Sequence, residues 1–344
     1  MNKETHIAFN IAHITGNENS YISEAVKNKK LSGNGVYTKK CHNKFKSILN
    51  NGHNLLTTSC TDALEMSAIL SEIKTGDEVI MPTYTFVSTA NAFILRGAKI
   101  KFIDSRTDHP GMDEDKIEEV ITNKTKAIVP VHYAGVACDM DKIKSIAKKY
   151  GLLIIEDAAQ AIDSYYNEKP LGSIGDLGCF SFHETKNIHC GEGGLLSINN
   201  SKFKERSEII WEKGTNRSAF WRGEVDKYNW VDIGSSFLTS EINAAFLFAQ
   251  LEELEDIQCK RITIWNQYYK DLVKLSNLGI NLPYIPKYAT NNAHMFYLVC
   301  RSNSERNNLI YYLKNKNINA VFHYICLHDS PYFFEQHDDR KMPN

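Results

Sequence analysis

The sequence has no excess of either charge and no long hydrophobic run. Its 344 residues include 40 lysines and arginines against 41 aspartates and glutamates, for a net charge of −1. This balance lacks the basic surface with which proteins bind nucleic acids or anionic membranes. No stretch approaches the roughly 18 apolar residues of a membrane span, and Met1–Asn10 has no apolar signal core. We therefore expect a cytoplasmic protein that meets any anionic substrate at a local site.

Paired cysteines and a complete dinucleotide motif are also missing. The eight cysteines are scattered and form no C-x-x-C pair, which excludes a zinc ribbon or a disulfide framework and fits a reducing compartment. No histidine has a second ligand at metal-binding spacing, so no metal is expected. An oxidoreductase on a dinucleotide fold would need G-x-G-x-x-G after its first strand. Gly33-Asn-Gly35 supplies only G-x-G and precedes the first clear strand.

Short apolar runs alternate with helical patterns along most of the chain. Four runs predict buried strands: Glu78–Met81, Lys99–Asp104, Lys126–Val131 and Leu152–Glu156. Helical spacing lies between them, at Thr61–Ile73, Ser88–Arg96 and Met140–Tyr150. This alternation predicts an α/β fold with a mostly parallel sheet, whose ligands bind beyond the carboxyl ends of the strands.

The pattern changes near Ser240, which is placed to cap a long helix extending as far as Ile257. The length favours about two domains. We predict a large domain over 1–250 and a smaller α+β domain over 251–344.

A lysine in a glycine-rich setting is the first candidate for chemistry. Lys186 lies in the segment S-F-H-E-T-K-N (Ser181–Asn187), and Gly191–Gly194 follows it. A lone lysine is usually a solvated surface residue. The glycines allow the backbone to bend tightly around a bound group, and Ser181 can bond an anion. Lysine forms Schiff bases because burial can lower its pKa and free the amine.

Asp157 follows an apolar strand, 29 positions before Lys186. A carboxylate there can keep a pyridinium nitrogen protonated, although a helix N-cap aspartate explains the position equally well. Gln160 can bond the oxygen of such a ring, or it is simply a polar residue in the first turn of a helix.

Two further segments fit a phosphate-bearing cofactor. The polar turn Thr57–Leu64 leads into a helix, whose free amides suit a phosphate, although a capping motif alone would look the same. The segment Pro82–Thr89 follows a predicted strand and carries an aromatic that could stack on a flat ring, where a core role is more common. The order of these four signals favours pyridoxal 5′-phosphate (PLP).

These motifs resemble the sugar aminotransferases of the DegT/DnrJ/EryC1/StrS family, from about His6 onwards. The resemblance is carried by E-D-A-A-Q, by S-F-H-x-x-K-N with the following E-G-G, and by P-x-Y-T-F-V-S-T. It implies the fold type I PLP-dependent transferase fold, which is aspartate aminotransferase-like. It also implies Lys186 as the Schiff-base lysine, which acts as general base and acid, and Asp157 as the partner of the pyridine nitrogen.

The resemblance assigns further contacts. Gln160 would contact the ring hydroxyl and Phe86 would stack on the ring. Cys60 and Thr61, with Ser181, would hold the phosphate. His183 and His328 occupy positions where relatives have histidines that face the active site. The alternative for His183 is a ring packed beside the lysine loop, and the alternative for His328 is a partly exposed loop histidine. Relatives build each site from two subunits, so a homodimer or larger assembly is expected.

Several stretches most resemble the branch that aminates TDP-4-keto-6-deoxy-D-glucose with L-glutamate as donor, for cell-surface polysaccharides. These are Leu55–Met66, Val131–Ala137, Phe182–Asn187, Glu212–Arg217, Val225–Tyr228, Asp232–Ser236 and Asn292–Tyr297. The motifs leave open amination at C3 or C4 and the face attacked. A related dehydratase is disfavoured, because those enzymes replace the lysine with histidine.

The chain departs from the family pattern at three places. Ser235–Leu238 replaces the Asn and Arg with which a neighbouring subunit reaches the phosphate in many relatives. Asn10–His13 replaces a Lys-Pro-rich start. The chain ends at Asn344, where relatives continue for a few tens of residues. The last departure predicts a truncated small domain, and it keeps open a PLP-fold binding protein without activity.

Overall fold

The computed structural model describes residues 6–336 and 340–343. Nine strands are present in this part of the chain: β1 (Asn54–Thr57), β2 (Glu78–Pro82), β3 (Lys99–Ile103), β4 (Thr125–Ile128), β5 (Leu153–Asp157), β6 (Tyr165–Tyr166), β7 (Lys169–Pro170), β8 (Leu177–Ser181) and β9 (Gly194–Ile198). Seven of them form one sheet in the order β1-β9-β8-β5-β4-β2-β3, and β6 pairs with β7.

The described residues contain eleven α-helices: α1 (Glu18–Lys27), α2 (Val36–Ile48), α3 (Cys60–Leu70), α4 (Val87–Ile94), α5 (Ile117–Val120), α6 (Met140–Tyr150), α7 (Lys204–Trp211), α8 (Arg217–Trp221), α9 (Glu241–Glu252), α10 (Leu254–Leu272) and α11 (Asn303–Lys314). No helix in these parts of the chain is long and apolar enough to cross a membrane.

The sheet is covered on both faces. Neighbouring residues of a strand enter different clusters, because their side chains point in opposite directions. In β5, Ile154 joins a cluster that includes side chains of α1, α2, α6 and α9. Ile155 joins a second cluster, with side chains of α3, α4 and α7. Burial on both faces explains why the strands are continuously apolar rather than alternating.

Within the seven-stranded sheet, the neighbouring strands β3, β2, β4, β5 and β8 are parallel, and β9 runs antiparallel between β8 and β1. The predicted α/β fold with a mostly parallel sheet is therefore confirmed. All four predicted strands form, and the helix Met140–Tyr150 has its predicted bounds. Strands β1, β8 and β9 were not predicted from the sequence, because their apolar runs are short and contain glycine or polar residues.

Ser240 caps α9 as predicted, because its hydroxyl accepts a hydrogen bond from the Asn243 amide at 3.3 Å. The predicted single helix is interrupted, however. Helix α9 ends at Glu252 and α10 begins at Leu254, so Ile257 belongs to the second helix.

Beyond α10 the described residues contain one α-helix and several isolated bridges, and no strand longer than a bridge. Ile7 pairs with Ile318 in one of these bridges, and Asn281 pairs with Val299 in another. The N-terminal segment thus joins the C-terminal region. The division of the chain at residue 250 into a large and a small domain stays a prediction.

Candidate active site

The carboxyl ends of the parallel strands meet at one edge of the sheet, and a cavity of about 430 Å³ lies there. Segments that follow β1, β2, β5 and β8 all contribute side chains to it. The lining contains eight residues that the sequence predicted: Cys60, Thr61, Phe86, Asp157, Gln160, Ser181, His183 and Lys186. The topology therefore gathers residues that lie as much as 126 positions apart in the chain.

Lys186 lies on a loop that closes on itself between β8 and β9. Backbone hydrogen bonds join Phe182 to Gly193 at 2.8 Å and Glu184 to Gly191 at 2.9 Å, and the Lys186 amide donates to the carbonyl of His183. Burial lowers the pKa of Lys186 below its usual value, against the opposing charges of Cys60 and Asp157. A larger fraction of the amine is therefore neutral and available as a nucleophile or base.

Asp157 is the last residue of β5 and is buried. Its Oδ2 accepts a hydrogen bond from the Thr89 hydroxyl at 2.7 Å, and its Oδ1 accepts one from the Ala159 amide at 3.1 Å. Burial raises the pKa of Asp157, while these two hydrogen bonds and the charge of Lys186 lower it. The carboxylate thus has a fixed orientation in a buried position, as a partner for a ring nitrogen requires.

The side chain of Gln160 is oriented by a hydrogen bond from a tight turn. Its Oε1 accepts a hydrogen bond from the Ala134 amide at 2.6 Å, and Ala134 has a left-handed backbone with φ of 56°. Because the amide oxygen is engaged, the NH₂ group remains as the donor for a cofactor oxygen. Its position in the lining fits the predicted contact with a ring hydroxyl.

The start of α3 has the features of an anion site, where the sequence predicted the phosphate. Ser59 caps the helix by accepting a hydrogen bond from the Asp62 amide at 3.1 Å. The first amides of a helix have no partners within it, and they attract anions. Gly194, at the start of β9, approaches this turn so closely that an added Cβ would lie 2.5 Å from the Cys60 nitrogen. The Thr61 hydroxyl lies 2.8 Å from that of Ser88, at the same end of the cavity.

Phe86 is 52% exposed at the cavity, which leaves a ring face open to a ligand. Its ring centroid lies 5.6 Å from that of Tyr324, which the sequence analysis missed. Tyr133 also lines the cavity, and its hydroxyl lies 2.8 Å from Nδ1 of His323. The only signal for His323 and Tyr324 in the sequence was the number of aromatic rings in Val321–Cys326 (VFHYIC), and such a segment is typical of an ordinary core.

The two predicted substrate histidines lie in different places. His183 lines the cavity, where its Nδ1 lies 3.0 Å from the Thr185 hydroxyl and its Nε2 lies 3.7 Å from Glu192. His328 is not among the described residues of the lining. Its Nδ1 lies 2.6 Å from the Thr83 hydroxyl, on the segment that follows β2. A substrate role for each histidine stays a prediction.

The sequence model of the DegT/DnrJ/EryC1/StrS aminotransferase family matches residues 12–344. The chain belongs to this family. It is 34% identical over 306 residues to MJ1066, an uncharacterized protein of Methanocaldococcus jannaschii, covering 87% of this chain and 78% of that protein. The structure is similar to that of S. venezuelae DesV in complex with a ketimine intermediate, with a TM-score of 0.85 and 27% identity, covering 95% and 85% of the two chains.

A third similar structure is the PLP-form of Spr1654 from Streptococcus pneumoniae, with a TM-score of 0.87 and 24% identity, covering 97% and 89% of the chains. PLP is the cofactor of this aminotransferase family, and the cavity fits it. The helix start at Cys60 suits the phosphate, Asp157 suits the ring nitrogen and Lys186 suits the aldehyde carbon. When bound, PLP supplies a carbonyl that carries amino groups and a ring that spreads negative charge.

Proposed function

We propose that this protein is a cytoplasmic aminotransferase that moves the amino group of L-glutamate to a nucleotide-linked 4-keto-6-deoxy sugar. The observation that carries the proposal is the enclosure of Lys186 and Asp157 in one cavity, with the helix start at Cys60 in the same lining. The two charged groups are close enough to influence each other's pKa. An amine and a carboxylate on opposite ends of one ring site are what transamination requires.

Lys186 is the group that moves the proton. Its lowered pKa favours the neutral amine, which accepts the α-proton of glutamate and returns a proton to the cofactor side, as general base and then general acid. Asp157 holds a proton at the ring nitrogen through a carboxylate fixed by Thr89 and Ala159. The catalytic pair is therefore Lys186 and Asp157, and the proposed cofactor contacts are Cys60, Thr61, Phe86, Gln160 and Ser181.

The sugar is proposed from the sequence likeness described above. Segments such as Leu55–Met66 and Asn292–Tyr297 resemble the TDP-4-amino-4,6-dideoxygalactose transaminases. The substrate is then TDP-4-keto-6-deoxy-D-glucose and the product is TDP-4-amino-4,6-dideoxy-D-galactose, a precursor for cell-surface polysaccharide such as enterobacterial common antigen or O-antigen. His183, which lines the cavity, and His328, which contacts Thr83, are the proposed substrate contacts.

A homodimer, or a larger homo-oligomer, completes the proposal. Lys186 is the one lysine or arginine among the described residues of the lining, and Glu192 adds a negative charge there. A nucleotide sugar and glutamate are both anionic, so cations from a second copy would complement the site. The segment near α8 exposes Trp221 by 69% and Trp230 by 81%, a surface typical of subunit contacts.

The test begins with the visible spectrum of the PLP-loaded protein before and after L-glutamate is added. The band of the lysine-bound cofactor should fade as the pyridoxamine form accumulates. TDP-4-keto-6-deoxy-D-glucose should then restore the band, and NMR of the product identifies the aminated carbon and its configuration. Amination at C3, or a gluco product, would replace the proposed specificity. A band that glutamate leaves unchanged, with cofactor bound, would support a PLP-fold binding protein instead.

A further inference from the structure

Asn292 is a buried residue that connects the two sides of the cavity, and its side chain is 1% exposed. The Nδ2 group donates hydrogen bonds to the carbonyls of Gln160 and Ile162, both at 2.8 Å. Its Oδ1 accepts a hydrogen bond from the His294 amide at 3.0 Å. Both amide hydrogens and the oxygen are thus engaged, and one of the partners is the backbone of a residue that lines the cavity.

The backbone carbonyl of Asn292 faces the lysine loop. It accepts a hydrogen bond from Nδ2 of Asn187, the residue after Lys186, at 2.8 Å. The second Nδ2 hydrogen of Asn187 goes to Oε1 of Gln258 at 2.8 Å, and its Oδ1 lies 2.9 Å from Nδ1 of His294. Since an amide oxygen only accepts, His294 donates from Nδ1. Burial lowers the pKa of His294 well below its usual value, so the ring is neutral.

Gly135 shows how closely the turn behind Gln160 packs on this asparagine. A Cβ added at Gly135 would overlap the side-chain amide of Asn292, and the glycine has a φ of 77°. The preceding residue, Ala134, donates its amide hydrogen to Oε1 of Gln160. Asn292 therefore fixes both the backbone of Gln160 and the turn that orients its side chain.

We propose that Asn292, with Asn187 and His294, is a positioning unit that sets the distance between Lys186 and Gln160 across the cofactor. Lys186 must leave and regain the cofactor, so the backbone from which its side chain moves has to be fixed. A fully satisfied buried polar network is rigid in the way this requires. The inference rests on the proposed function, because it assigns the network to amino transfer at Lys186.

The principal test replaces Asn292 by aspartate, which keeps the shape but removes both donors to Gln160 and Ile162. We expect kcat of the glutamate half-reaction to fall roughly 10- to 100-fold, as misplaced reacting groups cause, with KM for glutamate within about twofold of wild type. The lysine-bound cofactor band should titrate at a different pH, and the Kd for PLP should rise. The band titration and PLP affinity do not depend on turnover.

Gln250 provides the matched control. It is fully buried, and its Nε2 donates to the His13 carbonyl and the Glu18 carboxylate; none of these three residues is among the described residues of the cavity lining. Gln250→Leu should lower the melting temperature yet leave kcat per bound cofactor, the band titration and PLP affinity unchanged. If Asn292→Asp behaves as Gln250→Leu does, the positioning role is wrong. If wild type itself does not react with glutamate, the proposed function fails first, and that outcome is distinct.

Asn187→Ala keeps the proposal testable if the aspartate variant does not fold. This change separates the lysine loop from Asn292 but preserves the bonds between Asn292 and Gln160. We expect the band titration to shift and kcat to fall as for Asn292→Asp. A variant that folds and retains the wild-type titration and kcat would overturn the inference.

Discussion

Thr89 donates its hydroxyl hydrogen to Oδ2 of Asp157 at 2.7 Å, and both residues are buried in the wall of the cavity. The hydroxyl of Thr85 lies 2.8 Å from that of Thr89. Since the hydrogen of Thr89 is used, Thr85 must be the donor in this second bond. Two buried hydroxyls on the segment after β2 thus stabilise the ionised form of the carboxylate at the end of β5.

Replacing Thr89 by valine should move the acid limb of the pH–rate profile upward. Burial raises the pKa of Asp157, and the Thr89 hydrogen bond is the largest effect that lowers it. Without that bond the pKa rises further, so less carboxylate is present at a given pH. We expect kcat to fall roughly tenfold near neutral pH, the size of one charged hydrogen bond. Thr89→Ser keeps the donor and should retain the wild-type profile; an unshifted profile in the valine variant would contradict the role.

Lys186→Ala should abolish amino transfer and leave the fold intact. Loss of a positioned general base alone costs on the order of 10²–10⁴ in rate, and the covalent link to PLP is lost as well. Borohydride reduction followed by mass spectrometry should find a cofactor adduct on wild type and none on the variant. Lys186→Arg keeps a cation but not a nucleophile, and it should not restore turnover. Full activity in Lys186→Ala would remove Lys186 from the mechanism.

Much of this site could be predicted because parallel sheets place ligands at one edge. Asp157 ends a predicted strand, so the positions of the apolar runs located it. Strand β8 was not predicted, and Lys186 was found instead from its glycine-rich segment and the family motif. Tyr324 could not be found in this way. Its segment reaches the cavity through tertiary contacts, such as the hydrogen bond from the Leu327 amide to the Thr83 carbonyl at 2.8 Å. Spacing along the chain carries no information on such contacts.

Gly194 illustrates the same limit at the phosphate turn. The sequence indicated only that glycines near Lys186 permit bending. The structure shows a more specific requirement, since β9 runs antiparallel beside β1 and brings Gly194 against the carbonyl of Ser59 and the nitrogen of Cys60. The antiparallel pairing of β1 and β9 was not predicted, so the need for a glycine at position 194 could not be predicted either.

Gly194→Ala should therefore weaken PLP binding specifically. The new Cβ would lie 2.5 Å from the Cys60 nitrogen and must displace the start of α3, whose free amides are the proposed phosphate contacts. We expect the Kd for PLP to rise roughly tenfold, about the loss of one charged hydrogen bond, as measured by fluorescence titration of the apoprotein. Gly52→Ala is the control, since nothing lies within 4 Å of a Cβ there. Equal affinities in the two variants would show that the close approach is unimportant.

Glu18 makes a prediction about stability rather than catalysis. Its carboxylate accepts hydrogen bonds from the amides of Thr15 and Gly16, both at 2.8 Å, and from Nε2 of Gln250 at 2.7 Å. Burial acts to raise the pKa of Glu18, but these hydrogen bonds outweigh it and lower the pKa from 4.5 to about 2. A depressed pKa in the folded state contributes stability above pH 4.5, and that stability is lost as the pH falls toward 2.

Glu18→Gln should consequently lower the melting temperature by a few degrees at pH 7, for a loss of about 2 kcal/mol. The difference from wild type should shrink steadily in thermal melts taken from pH 5 down to pH 3, because the Glu18 carboxylate of the unfolded chain, with its ordinary pKa of 4.5, takes up a proton in this range while the folded one stays ionised. Glu119→Gln is the control, since its ion pair with Lys116 is exposed and contributes little. A melting difference between wild type and Glu18→Gln that stays constant with pH would mean that the ionised carboxylate is not what stabilises this turn.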